Sequence, residues 1–165
     1  MPGGVSRDDA IRRAQEEIDR AKPEIANYLK LESERLDVAL QATCEHDHYN
    51  ASSMAEVYAA SQNVRDIAAS VGHSLLGFIA ANLCEIFETA ETARINYPID
   101  VIRCHFDALR LARSGLYEDR TAEELPELVA GLRRTITLVK GIAARATAAN
   151  ASEPPKGKRK DKRAD

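Results

Sequence analysis

Tryptophan is absent from this 165-residue chain, phenylalanine occurs three times, and aromatic residues make up only 5% of it. Glycine and proline are also sparse, at 8 and 6 residues, so little in the sequence interrupts a helix. No window approaches 18 uninterrupted apolar residues, and Met1-Pro2-Gly3-Gly4 lacks the basic-then-apolar pattern of a signal peptide. Neither a membrane span nor export is expected. The cysteines Cys44, Cys84 and Cys104 are odd in number, and two fall inside apolar helical patterns, which fits a cytoplasmic protein with reduced thiols. There is no alternating strand pattern, no glycine-rich phosphate loop and no nucleophile elbow. Enzymes with a dedicated active site of those kinds are excluded.

What is present is enough apolar material, 44%, for one real core, in a chain where Ala, Glu, Arg and Leu dominate. Charge is uneven. Residues 156–165, KGKRKDKRAD, carry six Lys/Arg and two Asp, a local +4 that leaves the preceding residues at −7 within a net of −3. The prolines of Ser152-Glu153-Pro154-Pro155 end the last helix, and nothing beyond them can join a core. Residues 1–150 are expected to form one helical domain and 151–165 a disordered basic tail. Such a tail is most simply a solvated end, and an anionic partner is the alternative.

Five helical stretches follow from pattern. Ser6-x-x-Asp9 opens the first, which Pro23 is expected to kink or restart before it continues through Leu40. Cys44–Ser52 reads as a loop. Ser53 with Glu56 forms a second capping box, and the second helix runs to Gly72, a C-cap. Ser74 starts an apolar third helix, and Pro98 opens a fourth that ends at Gly115. Thr121 with Glu124 caps the last, carrying Leu125 to Ile142. Short links between amphipathic helices favour an antiparallel four-helix bundle, here with an additional C-terminal helix.

At 100° per residue with Val57 at 0°, the apolar residues of the second helix, Val57 to Val71, fall within about 80° of zero and face the core. Tyr58, Gln62, Arg65, Asp66 and Ala69 lie between about 80° and 180°, a continuous patch expected to face solvent. Polar residues there need no explanation beyond solubility.

From Glu56 to Glu88 the sequence EVYAASQNVRDIAASVGHSLLGFIAANLCEIFE resembles the acceptor helix, glycine turn and following helix of histidine-containing phosphotransfer domains, especially the single-domain alphaproteobacterial type. Without a gap, Val57-Tyr58 takes the family's Leu-Phe place, Val71-Gly72-His73-Ser74-Leu75 takes Phe-Gly-Tyr-Pro-Leu, and Ala81-Asn82-Leu83-Cys84 takes Ala-Ser-Leu-Cys. A fainter similarity extends over most of residues 10–116. The resemblance implies a phosphorelay signalling protein, at most a phosphocarrier and not an enzyme, that meets response-regulator receiver domains or histidine kinases.

In this register the phospho-accepting His falls on Gln62, the family's Lys/Arg on Arg65 and its Gly on Asp66. Phosphoryl transfer needs an imidazole nitrogen as nucleophile, whereas the amide nitrogen of Gln62 has a delocalised lone pair. Asp66 adds a repelling carboxylate one turn away and removes the close backbone approach of glycine. The expectation is a pseudo-phosphotransfer domain that binds partners through Tyr58, Gln62, Arg65, Asp66 and Ala69.

A second register makes His73 a working acceptor, because His73-Ser74-Leu75-Leu76-Gly77 is similar to the family's His-x-Leu-Lys-Gly. Its spacing is poor: Leu83-Cys84 follows His73 by only 10 residues, and His73 sits beside the Gly72 helix stop. A helical adaptor or oligomerisation module unrelated to phosphorelay is the third reading. Cys44, His46 and His48, alone or with Cys104-His105, are potential zinc ligands, but no standard two-pair spacing joins them, so no metal and no other cofactor is expected.

Overall fold

The computed structural model describes residues 6–45, 51–117 and 120–152. All regular structure in them is helical: α1 Arg7–Glu45, α2 Ala51–Ala68, α3 Ser74–Ala93, α4 Ile99–Ala112 and α5 Pro126–Ser152, with short 3₁₀ turns at Ala69–Val71 and Ala122–Glu124. Among the described residues no helix is long and apolar enough to cross a membrane. Of the expected tail, residues 151 and 152 belong to α5, because the prolines that end the helix come only at 154 and 155; residues 153–165, with the basic run, and His46 and His48 lie outside the described residues.

Helix α1 starts where Ser6 accepts a hydrogen bond from the Asp9 backbone N–H (3.1 Å). It runs unbroken through Pro23, so the expected restart does not occur. A proline forfeits one backbone bond, and on this exposed stretch of helix solvent can take up the orphaned carbonyl. The second expected capping box is also corrected. Helix α2 begins two residues before Ser53, and Glu56 is drawn to α1, where Arg35 Nε meets its Oε1 at 2.6 Å. Helix α4 stops at Ala112, ahead of Gly115. The Thr121–Glu124 box forms as a reciprocal pair but caps the 3₁₀ turn, and α5 begins beyond it at Pro126.

Helix α1 packs on α2 and α2 on α3, while α4 lies against both α1 and α3, and α5 covers α3 and touches α4. The shared core is aliphatic: Leu36 and Leu40 of α1, Val57 and Val64 of α2, Ile79, Leu83 and Ile86 of α3, Ile102 and Leu109 of α4, and Leu132 and Val139 of α5 are almost fully enclosed. Each such side chain contributes about 1.5–3 kcal/mol by leaving water, which explains how a chain with so few aromatics holds together. Among the described residues six polar side chains are buried with this core, and two of them, His105 and Ser61, are fully enclosed. His105 is fully buried with Nδ1 2.8 Å from the Val101 carbonyl, and Ser61 donates back to the Val57 carbonyl at 2.7 Å.

The α2–α3 reversal sets the geometry of everything that follows. Gly72 adopts φ +90°, the left-handed conformation that closes helix ends, and the His73 N–H reaches back to the Ala68 carbonyl (3.0 Å). One turn into α3, a Cβ placed on Gly77 would stand 3.2 Å from Ala68 Cβ. The two helices therefore meet backbone to backbone at their junction.

Candidate functional site

The middle of α2 lies between two neighbours. On one side Asn63 Nδ2 donates to Glu32 Oε2 of α1 at 2.8 Å, and Glu32 is buried. On the other, the Tyr58 hydroxyl donates to Glu88 Oε1 of α3 at 3.1 Å, and its ring tilts against Phe87, 5.9 Å between centroids. Partial burial and the Glu88 bond both raise the Tyr58 pKa, so its proton stays on the oxygen.

These two flanks narrow the free arc of the helix. Tyr58, Gln62 and Arg65 are half-buried, whereas Asp66 and Ala69 are exposed. The five residues of the patch thus lie on one side of α2, with Tyr58 at the α3 flank and Asp66 at the rim of the α1–α2 groove. Arg65 Nε donates to Asp66 Oδ1 at 2.8 Å, which holds the guanidinium firmly charged. Behind it, burial pushes the Cys84 thiol up to about 11, so this cysteine is an unreactive neighbour.

Two grooves border the patch. One, of about 550 Å³, lies between α2 and α3 and is lined by Met54, Tyr58, Phe87, Glu88 and Tyr97. The other, of about 590 Å³, lies between α1 and α2 and is lined by Tyr28, Leu31, Asp66, Ile67 and Ser70. Polar residues flanked by apolar grooves suit docking of another surface better than enclosure of a small substrate. Sequence reasoning missed Asn63, Glu32, Glu88, Phe87 and Tyr97. Asn63 lies next to Gln62 and was the one within reach of helical-wheel logic, since at 100° per residue it falls opposite Tyr58.

His73 stands elsewhere. It is the half-buried N-cap residue of α3 and shares a groove with Lys30 and Ser33 of α1, Leu76, and Arg113 beyond α4. The zinc candidates do not converge among the described residues. His105 is buried and points into the core, Cys104 is exposed on the same helix, and no group of three His, Cys, Asp or Glu able to hold a metal occurs there. Burial keeps the His105 imidazole neutral by lowering its pKa.

No protein-family model, no curated protein and no solved structure matches this chain.

Proposed function

We propose that the chain is a pseudo-phosphotransfer protein, a four-helix bundle of α1–α4 extended by α5, that binds receiver or kinase domains through the α2 face without accepting phosphate. The observation that carries this reading is Gln62. It sits in mid-α2, at the place the resemblance gives to the acceptor, half-open to solvent and between two apolar grooves. A glutamine there can donate and accept hydrogen bonds but cannot attack an aspartyl phosphate. Arg65, the group that would steady incoming phosphate, is already paired with Asp66. Recognition remains while transfer chemistry is lost. A cytoplasmic location goes with such a role.

The test is a binding and labelling experiment with the receiver domains of the source organism. The expected result is saturable binding to at least one receiver and no acid-labile label on this chain. Absence of binding to any receiver or kinase would favour a helical adaptor unrelated to phosphorelay.

One observation favours a second reading, an active carrier at His73. Lys30 and Arg113 share the His73 groove, and the first N–H groups of α3 lie beside it, so a phosphoryl group there would find positive charge. Against it, Arg113 is engaged with Asp37 (3.5 Å). Label that vanishes in His73→Ala would establish this reading in place of the first.

A further inference from the structure

The first part of α1 stands apart from the body. Every residue from Arg7 to Arg20 is exposed, including Ile11 (57%) and Ile18 (52%), and the first buried residue of the helix is Leu29. These isoleucines are not scattered. At 100° per residue Ile11, Ile18 and Ile25 fall within about 40° of the line through Leu29, Leu36 and Leu40, the side of α1 that α2 and α4 cover lower down. The core-facing stripe thus continues upward for about 20 Å from Ile25, where the end of α2 still borders it, and among the described residues no helix lies against Ile11 or Ile18.

The spacing along that stripe is Ile11, Ala14, Ile18, Ala21, Ile25, alternating steps of three and four residues, the pattern by which helices pair along a seam. Pro23 is off the seam, so it does not obstruct pairing. Where the stripe can be covered is limited by the body. Lys22, Pro23 and Ala26 line one groove with Ser70, Val71 and Gly72, so the α2–α3 turn reaches α1 at that level. A parallel partner helix would run into this turn. An antiparallel one that ends at the level of Ile25 would not.

We infer that the exposed segment of α1 pairs antiparallel with the same segment of a second copy, forming a two-fold symmetric dimer with the bodies at opposite ends. In the register that sets Ile18 on the partner's Ala14, and Ile11 on the partner's Ala21, the four inner layers each place a large residue on a small one, the outer Ile25 meets the aliphatic stem of the partner's Arg7, and the same surface serves both copies. That register also sets Asp8 beside Lys22 across the seam, twice by symmetry, so the charges at the two ends are self-complementary, with Lys22 standing between the partner's Asp8 and its own Asp19 (2.8 Å). The central Glu17 residues approach each other, but each is already paired with its own Arg20 (2.8 Å). The inference is independent of the phosphotransfer reading.

Sedimentation equilibrium of the full chain tests it. The expected result is a concentration-dependent shift from 18.1 kDa to twice that mass. Ile18→Glu should abolish the dimer with helix content unchanged, because the residue touches nothing in the body. Asp8→Lys and Lys22→Asp should each weaken the dimer on the order of tenfold, since symmetry counts each change twice, and the double exchange should restore it. A monomer at every concentration would overturn the proposal, as would a dimer indifferent to Ile18→Glu. Rescue by Glu17→Lys with Lys22→Glu in place of the Asp8 exchange would show a parallel pair and overturn it too.

Discussion

Asn63 Nδ2 donates to Glu32 Oε2 at 2.8 Å, joining the residue next to Gln62 to a buried carboxylate on α1. This bond ties α2 to α1 beside the apolar stripe of Val57, Ala60, Val64 and Ala68 that faces the core. The same contact that holds Asn63 inward leaves Gln62 and Asp66 on the open side. Arg35 lies 3.6 Å from the same carboxylate and balances its charge only in part.

Asn63→Ala should therefore destabilise the fold by about 1–3 kcal/mol, the cost of leaving a buried carboxylate oxygen without its donor. Urea unfolding followed by circular dichroism measures this. Asn63→Asp should cost at least as much, because it sets two carboxylates against each other. A neutral Asn63→Ala would mean that water replaces the amide and that this bond is not what ties α2 to α1.

The α2–α3 junction gives a second expectation. Gly77→Ala places a methyl 3.2 Å from Ala68 Cβ, so the end of α2 must give by a few tenths of an ångström at this junction. Overpacking of about 1–3 kcal/mol stands against about 1 kcal/mol gained by alanine in a helix, so a net loss of up to about 2 kcal/mol is expected. Gly77→Ala combined with Ala68→Gly should recover part of the loss beyond what helix propensity predicts. Thermal melts of the four proteins in that cycle provide the check.

Much of this architecture is legible in the residues. The apolar spacing of α2 to α5, the Gly72 stop and the Thr121–Glu124 box are local signals, and each appears in the fold. Of the kink or restart expected at Pro23, the restart is absent because a proline on an exposed helix side loses one bond that water replaces. Ser53 and Glu56 misled for another reason: the Arg35–Glu56 pair joins residues 21 apart and is invisible to any local pattern. The flanks of the α2 patch share that property. Tyr58 and Glu88 are 30 residues apart, and only packing shows that Gln62 is half-buried.

His105 predicts the acid side of the stability profile. Its folded pKa is lowered from 6.5 by burial, so the unfolded chain takes up a proton at a pH where the folded chain does not. More protons bound by the unfolded state means that stability falls as pH drops below about 6.5, until the folded imidazole itself protonates. Denaturation midpoints between about pH 7 and about pH 5 should show this slope, and His105→Gln should flatten it. An unchanged slope in a folded His105→Gln would show that His105 is not its source; carboxylates such as Glu56 and Glu124, whose pKa values are lowered from 4.5 by hydrogen bonding, lose their contribution only below about pH 4.5.

The α2 face itself is tested by building back what it lacks. Gln62→His supplies an imidazole nucleophile, and Asp66→Gly removes the exposed carboxylate that pairs with Arg65, freeing the guanidinium for phosphate. Neither change touches the core, so the double variant should fold, with at most about 1 kcal/mol lost to glycine in the helix. If the face still fits a receiver, the double variant should take acid-labile label from a phosphorylated receiver while the parent does not. Gln62→His alone should label more slowly, because Asp66 still neutralises Arg65 and repels the phosphoryl group. Ala69→Glu is the companion control: at an exposed position one turn on, it should cost about 1–3 kcal/mol of receiver binding through an unpaired carboxylate in the interface, with little change in stability. A folded double variant that no receiver phosphorylates, together with receiver binding unaffected by Ala69→Glu, would separate this face from phosphorelay altogether.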